Sequence, residues 1–275
     1  MDLNGKKAAI VGMAQTGLET AQVLRERGAE AVIFDSKKPE ELGDGPALAE
    51  KIGAEAVYGH DGVSPLGDVD FVVVSPGVRY EMPALLEAES RGIPVMAEIE
   101  LAYRISPAPI IAITGTNGKS TTTVMTGKMM EAGGRHTLIG GNIAAEGYKM
   151  ALITAAHKAK PESVIAAEIS SFQLERIINF RPKVAAILNI SVDHLDRHPS
   201  FQEYADIKGR IFSNQKADDW AIVNADNEPS LLQAPKEGPR VLKFSTKSEP
   251  EDGAFIRRGM VVVRIDGIER EILPI

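Results

Sequence analysis

The sequence has no cysteine, which excludes disulfides, thiolate-bound metals, iron–sulfur clusters and cysteine nucleophiles. It has no apolar run approaching the roughly 20 residues that cross a bilayer. Its opening, Met1-Asp2-Leu3-Asn4-Gly5-Lys6-Lys7, lacks the apolar centre of a secretion signal. The expectation is a cytoplasmic protein that does not use a membrane. No basic tract offsets the acidic excess: 31 Lys and Arg stand against 38 Asp and Glu, a net charge of −7. Nucleic acid is therefore not expected as a partner. Repeats and low-complexity tracts are missing as well. What remains is 275 residues, 44% hydrophobic and 25% charged, the balance of a globular chain with room for one large domain or two ordinary ones.

Short apolar runs alternate with helical patterns. Ala8–Val11, Ala31–Phe34 and Phe71–Ser75 read as buried parallel strands, and Pro94–Ala97 as a further one. Gly17–Arg27 and Pro83–Arg91 read as helices. This forms an α/β unit over residues 1–97. A second series begins near Glu98, after which Pro107-Ala108-Pro109 punctuates the chain. Ile110–Thr114, Thr137–Ile139, Ser163–Glu168, Val184–Ile190 and Trp220–Val223 read as strands. Gly118–Ala132, Lys149–Lys158 and Phe201–Phe212 read as helices. After Pro239 come Val241–Phe244, Ala254–Arg257, Val261–Ile265 and Ile268–Leu273, short strands with Asp266-Gly267 as a hairpin turn. The expected fold class is α/β: a Rossmann-like first domain, then a phosphate-loop α/β domain over 98–275 with a small antiparallel strand extension. The apolar ending at Ile275 reads as a cut at a domain boundary.

Two glycine-rich turns join strands to helices. The first, Gly12-Met13-Ala14-Gln15-Thr16-Gly17, carries Ala14 in the middle glycine slot of a dinucleotide-type turn. Small residues let backbone approach a phosphate, and the helix start offers free N–H groups and a positive dipole end. Asp35 ends the next strand 18 residues after Gly17, where a ribose-binding acid belongs. Ser75-Pro76-Gly77 is a second small-residue loop at the same sheet edge. The motif fits NAD or a UDP-sugar equally, and it also fits a plain tight turn.

The second turn is more specific. The strand Ile110–Thr114 runs into Gly115-Thr116-Asn117-Gly118-Lys119-Ser120-Thr121, and a helix follows. Backbone N–H groups can cradle phosphates, Lys119 can reach the terminal phosphate oxygens, and the Ser120 hydroxyl can bind Mg²⁺. The general phosphate-loop pattern has a glycine where this sequence has Ile113, so the loop is a variant.

Three further features belong to the same sheet edge. Glu168 ends a strand, where a carboxylate can hold Mg²⁺ or simply complement the next helix dipole. His194, within Asp193-His194-Leu195-Asp196, can bind a metal, orient a substrate carboxylate or sit solvated in a charged loop. Lys208 interrupts the apolar stripe Phe201, Tyr204, Ala205, Ile211 and Phe212. A lysine there either snorkels outward or has an inward task.

These residues resemble the Mur ligase family, the ATP-dependent amide ligases of peptidoglycan precursor synthesis. The resemblance rests on Gly115–Thr121, Gly141-Asn142-Ile143, the run from Glu168 to Glu175, the run from Asn189 to Arg197, and Lys208. The stretch Ser170-Ser171-Phe172-Gln173-Leu174-Glu175 points to the branch that adds D-glutamate. The resemblance implies ATP, UDP-N-acetylmuramoyl-L-alanine and D-glutamate as substrates of a monomeric enzyme. It implies a UDP-binding first domain with Gly12, Ala14, Gln15, Thr16, Gly17, Asp35, Ser75, Pro76 and Gly77, and an ATPase second domain. Gly115, Thr116, Asn117, Gly118, Lys119, Ser120 and Thr121 would hold ATP. Ser120 and Glu168 would serve one Mg²⁺. Asn142 and His194 would serve the substrate, with His194 near a second Mg²⁺. Lys208 matches a lysine that the family carbamylates, so Lys119, His194 and Lys208 are the catalytic candidates. A third, amino-acid-binding domain of the family has no counterpart here. A sister ligase, including the folylpolyglutamate type, a non-catalytic nucleotide-binding module and an NAD-dependent dehydrogenase are the alternatives.

Overall fold

The computed structural model describes residues 1–59 and 66–275. Its first series runs β1 (Lys7–Val11), α1 (Gln15–Glu26), β2 (Glu30–Asp35), α2 (Gly45–Ile52), β3 (Glu55–Tyr58), β4 (Phe71–Val74), α3 (Pro83–Ser90), β5 (Val95–Ala97) and α4 (Glu98–Ile105). The second opens with β6 (Ile110–Thr114), α5 (Lys119–Ala132), β7 (Thr137–Gly141), α6 (Leu152–Lys158), β8 (Val164–Glu168), α7 (Ser171–Leu174) and β9 (Val184–Ile187). It closes with α8 (Phe201–Gly209), β10 (Trp220–Asn224), α9 (Glu228–Leu232), β11 (Arg240–Ser245), β12 (Gly253–Arg257), β13 (Met260–Ile265) and β14 (Ile268–Pro274). Among the described residues no helix is long and apolar enough to cross a membrane.

Among the described residues the strands form two sheets. The first is β3-β2-β1-β4-β5, parallel throughout. Its inner strands are apolar runs because helices cover both faces, as parallel sheets require. The chain order reverses between β1 and β4, so a crevice opens at their carboxyl ends. The second sheet is β14-β13-β12-β11-β10-β9-β6-β8-β7. Here the order reverses between β6 and β9, which places the second glycine-rich turn beside the segment that leaves β9.

The last four strands depart from expectation. They extend the main sheet, β10–β11 and β11–β12 are parallel, and only β12–β13 and β13–β14 are antiparallel. Two further boundaries move for local reasons. The strand expected to reach Ile190 stops at Ile187, because residue 189 turns to bond the phosphate loop. The helix expected to reach Phe212 stops at Gly209 and tightens into a 3₁₀ turn over Arg210–Phe212.

The two sheets share one apolar core through α1, α4 and α6. Two carboxylates fasten the start of α6. Glu19 of α1 accepts from Ala151 N at 2.9 Å and from the Thr154 hydroxyl. Glu98 of α4 is buried and accepts from Ile153 N at 2.6 Å, with the Gln173 side chain also interacting with its carboxyl. Burial, reinforced by the charge of Glu19, pushes the Glu98 carboxyl up to about 7. A raised carboxyl binds its proton more tightly folded than unfolded, so its effect on stability becomes unfavourable as pH climbs from about 4.5 to about 7. Glu98→Gln keeps the acceptor for Ile153 and removes the buried charge. Denaturant unfolding should find the variant close to wild type near pH 4.5 and more stable by about 2–3 kcal/mol at pH 8. A gain that does not change with pH would contradict this.

Candidate active site

The first turn is shaped by steric exclusion. Gly12 has φ +101°, and a Cβ there would meet Ser75 Cβ at 3.0 Å. A Cβ on Gly17 would lie 1.9 Å from Gly12 O, so only glycine lets α1 start against the turn. Ala14 caps α1 in extended geometry. Asp35 accepts from Met13 N at 2.8 Å and Lys37 N at 3.0 Å, tying the end of β2 to the turn. Ser75 donates to Gly12 O at 3.2 Å, and Val78 N closes Ser75-Pro76-Gly77 on Ser75 O at 3.0 Å. The ends of β1, β2 and β4 therefore meet at one edge, as the sequence implied. Gln15 and Thr16 also line a cavity of about 220 Å³ with Asn142, Lys149 and Met150, and Gln15 donates to Lys149 O at 3.1 Å. This cavity brings the first turn and Asn142 together.

The second turn is held from three sides. Gly115 lies against Leu188 and Asn189, with its virtual Cβ 3.1 Å from Leu188 Cβ. Thr116 N donates to Asn189 O at 2.8 Å, Asn117 N to Asn189 Oδ1 at 2.9 Å, and Asn189 Nδ2 returns a bond to Asn117 O at 3.1 Å. Gly118, at φ +81°, caps α5. The first N–H groups of α5, from Lys119 to Thr121, face the loop without intrahelical acceptors, as at any helix start. The Lys119 ammonium lies over the loop and donates to Thr116 O at 2.9 Å.

Ser120 Oγ donates to Glu168 Oε2 at 2.6 Å. Glu168 is buried at the end of β8, and burial raises its carboxyl above the usual range against the pull of Ser120, Lys119 and Lys208. Gly141 makes this corner possible: a Cβ there would lie 2.2 Å from Glu168 O, and Asn142 N donates to that same oxygen at 2.9 Å. A hydroxyl and a carboxylate form a hard-oxygen pair that suits Mg²⁺. Among the described residues there is no group of three or more His, Cys, Asp or Glu able to hold a metal.

Lys208 turns inward. It is 2% exposed, donates to Gly115 O at 2.9 Å and to Thr114 Oγ1 at 3.4 Å, and lies 4.7 Å from the centre of the Tyr204 ring. Burial, reinforced by the Lys119 charge, lowers its amine to about 7. His194 sits on the loop after β9 at φ +51°, half exposed, near Asp193 and 5.0 Å from the Phe172 ring centre. Its contacts are with this aromatic cluster rather than with the Ser120–Glu168 pair.

Sequence reading missed His198, which is 1% exposed, faces the Ser171 hydroxyl at 3.0 Å and stacks on Phe172. It also missed the Tyr204 hydroxyl, which meets Thr116 Oγ1 at 3.2 Å. Tyr204 stood in the apolar stripe and gave no polar signal there.

Known proteins resemble this chain along its whole length. A family model described as the Mur ligase middle domain matches residues 113–266, and one described as the Mur ligase MurD-like N-terminal domain matches residues 6–97. UDP-N-acetylmuramoylalanine–D-glutamate ligase of Koribacter versatilis is 44% identical over 276 residues, which is 100% of this chain and 60% of that protein. The ligase of the same name from Pelobacter propionicus is 44% identical, covering 98% of this chain and 59% of its own length. The chain thus spans about 60% of the length of these curated relatives. Among solved structures, the UDP-N-acetylmuramate:L-alanyl-gamma-D-glutamyl-meso-diaminopimelate ligase of Neisseria meningitides shares the fold. Its TM-score is 0.64 at 17% identity, over 96% of this chain and 86% of that one. UDP-N-acetylmuramate-alanine ligase of Thermotoga maritima does so with TM-score 0.54 at 19% identity, over 97% and 60%. The middle-domain match alone accounts for more than half of the residues and lies over the sheet that carries the lysine turn, so this chain belongs to the Mur ligase family.

Proposed function

We propose that this chain supplies the UDP-substrate-binding and ATP-binding parts of a ligase that joins D-glutamate to UDP-N-acetylmuramoyl-L-alanine, working as a monomer in the cytoplasm. Residues 1–97 take the UDP moiety and residues 98–275 take ATP. The observation that carries this reading is the corner where Lys119, Ser120 and Glu168 converge at the start of α5. It is the arrangement expected for a metal-bound triphosphate.

The chemistry follows from a difficulty with carboxylates: a free one is a poor acylating agent at neutral pH. The alanyl carboxylate attacks the γ-phosphorus of ATP, ADP leaves, and an acyl phosphate forms. The amine of D-glutamate then adds to the acyl carbon, loses a proton and expels phosphate, leaving the amide. Ser120 and Glu168 would hold Mg²⁺, which would supply charge neutralisation at the triphosphate. The backbone N–H groups of Gly115–Thr121 fix the phosphates, and Lys119 supplies a point charge for the one transferred. Asn142, beside the cavity that reaches Gln15 and Thr16, orients the UDP-substrate toward that phosphate. His194 serves the acceptor end of the same substrate, near a second Mg²⁺.

Lys208 acts as a carbamate in this reading. Its amine is held near neutrality by burial, and only the free amine adds CO₂. Addition of CO₂ to the free amine forms the N–C bond and releases one amine proton to solvent, leaving a carbamate anion that would help hold a second Mg²⁺ with His194.

Three outcomes are expected. Calorimetry on this chain should detect UDP-N-acetylmuramoyl-L-alanine and not NAD, and NAD binding of equal or greater affinity would overturn the assignment of the first turn. In a ligase-active form of the protein, Lys119→Ala should lower turnover by about 10²–10³-fold while changing stability by only about 0.5 kcal/mol. Activity within a few-fold of wild type would contradict its role. Lys208→Ala should be inactive and partly restored by added short-chain carboxylates. Wild-type turnover in that variant would remove the carbamate from the account.

A further inference from the structure

Helix α8 sends two side chains, one turn apart, to consecutive residues of the phosphate loop. Residues at i and i+4 share a helix face. Lys208 reaches Gly115 O at 2.9 Å, and Tyr204 reaches Thr116 Oγ1 at 3.2 Å. The Thr116 hydroxyl is a junction with a definite hydrogen count. Ser191 N donates to it at 3.0 Å, and it can donate its own proton to Ser191 O at 3.3 Å. A hydroxyl has one proton and two lone pairs. With the proton directed to Ser191 O and one lone pair taken by Ser191 N, the remaining lone pair can accept from the Tyr204 O–H; with the proton directed to Tyr204 instead, the Tyr204 oxygen accepts it, and either way the two hydroxyls are bonded.

The rest of Tyr204 is fixed independently of this bond. The residue is 1% exposed, its ring carries the Lys208 amine at 4.7 Å, and it packs against His198 at 5.3 Å and His194 at 6.1 Å. A buried ring on a helix thus holds a hydroxyl under Thr116, which, like Asn117, also binds the segment leaving β9. We infer that Tyr204 is a positioning residue of the nucleotide site: through Thr116 it braces the phosphate loop against α8, so that the loop N–H groups stand ready for phosphate. This inference rests on the reading of the loop as an ATP site. A loop ordered in advance loses less freedom on binding, and the difference appears as affinity.

Tyr204→Phe removes one oxygen and leaves the ring packing in place. Calorimetry of Mg·ATP binding on the whole 275-residue chain should show affinity lowered about three- to tenfold, the size of one hydrogen bond, with the thermal midpoint little changed. Thr116→Val should also weaken binding, and the double variant should lose no more than the weaker-binding single one. Wild-type affinity in Tyr204→Phe, or fully additive losses in the double variant, would overturn the inference. Absence of Mg·ATP binding in the wild type would defeat the ATP reading itself. Hydrogen exchange at the amides of Gly115–Gly118 then decides the role of Tyr204 separately. Faster exchange in Tyr204→Phe upholds it, and unchanged exchange overturns it.

Discussion

An amine held out of water directly beneath a phosphate loop is the constraint around which the second sheet is organised. Removing a lysine from solvent is costly, and the surroundings of Lys208 offset only part of that cost, through Gly115 O, Thr114 Oγ1 and the Tyr204 ring. The amine answers by releasing its proton more readily, at about 7 rather than 10.5. An amine depressed in the folded state binds fewer protons there than in the unfolded chain. Its unfavourable effect is therefore full below about pH 7 and fades as pH rises toward 10.5. Glu98 slopes the other way over the interval below, from about 4.5 to about 7. The same burial that costs stability leaves more of the Lys208 amine unprotonated at neutral pH, beside the Gly115–Thr121 loop.

Much of this was legible in sequence because it depends on local chemistry. The turns Gly12–Gly17 and Gly115–Ser120 could be read since close backbone approach demands glycine, and the structure supplies the reason in atoms: Gly12 O stands where a Cβ on Gly17 would be. The gap that Lys208 makes in the stripe of α8 left a choice between snorkelling outward and an inward task, and the structure decides it: the residue is buried. What sequence could not show were pairings between distant segments. Nothing local to Asn189 announces that its side chain and backbone together hold Thr116 and Asn117. β11 and β12 looked like a separate antiparallel addition because short strands after a proline carry no record of their neighbours, and they proved to continue the parallel sheet. Residues 42–58, where α2 and β3 form, and the helices α4, α7 and α9 were too short or too weakly patterned to be read.

The junction between the sheets uses the same economy. Glu19 and Glu98 arrive from different helices at the start of α6, and Arg197 reaches from the second series to Val78 O, just beyond Ser75-Pro76-Gly77. The two glycine-rich edges are thereby held in one frame. In the proposed reading, a UDP-substrate bound at the first would present its far end toward Asn142 and the second, which is the geometric requirement of a transfer between two bound substrates.

The most direct test is an amide NMR map of this chain titrated with Mg·ATP. The account predicts perturbations centred on Gly115–Thr121, extending to Glu168 and Asn189, with the Gly12–Gly17 turn left unmoved. Perturbations centred instead on Gly12–Gly17 would contradict the central claim that the second turn is the ATP site.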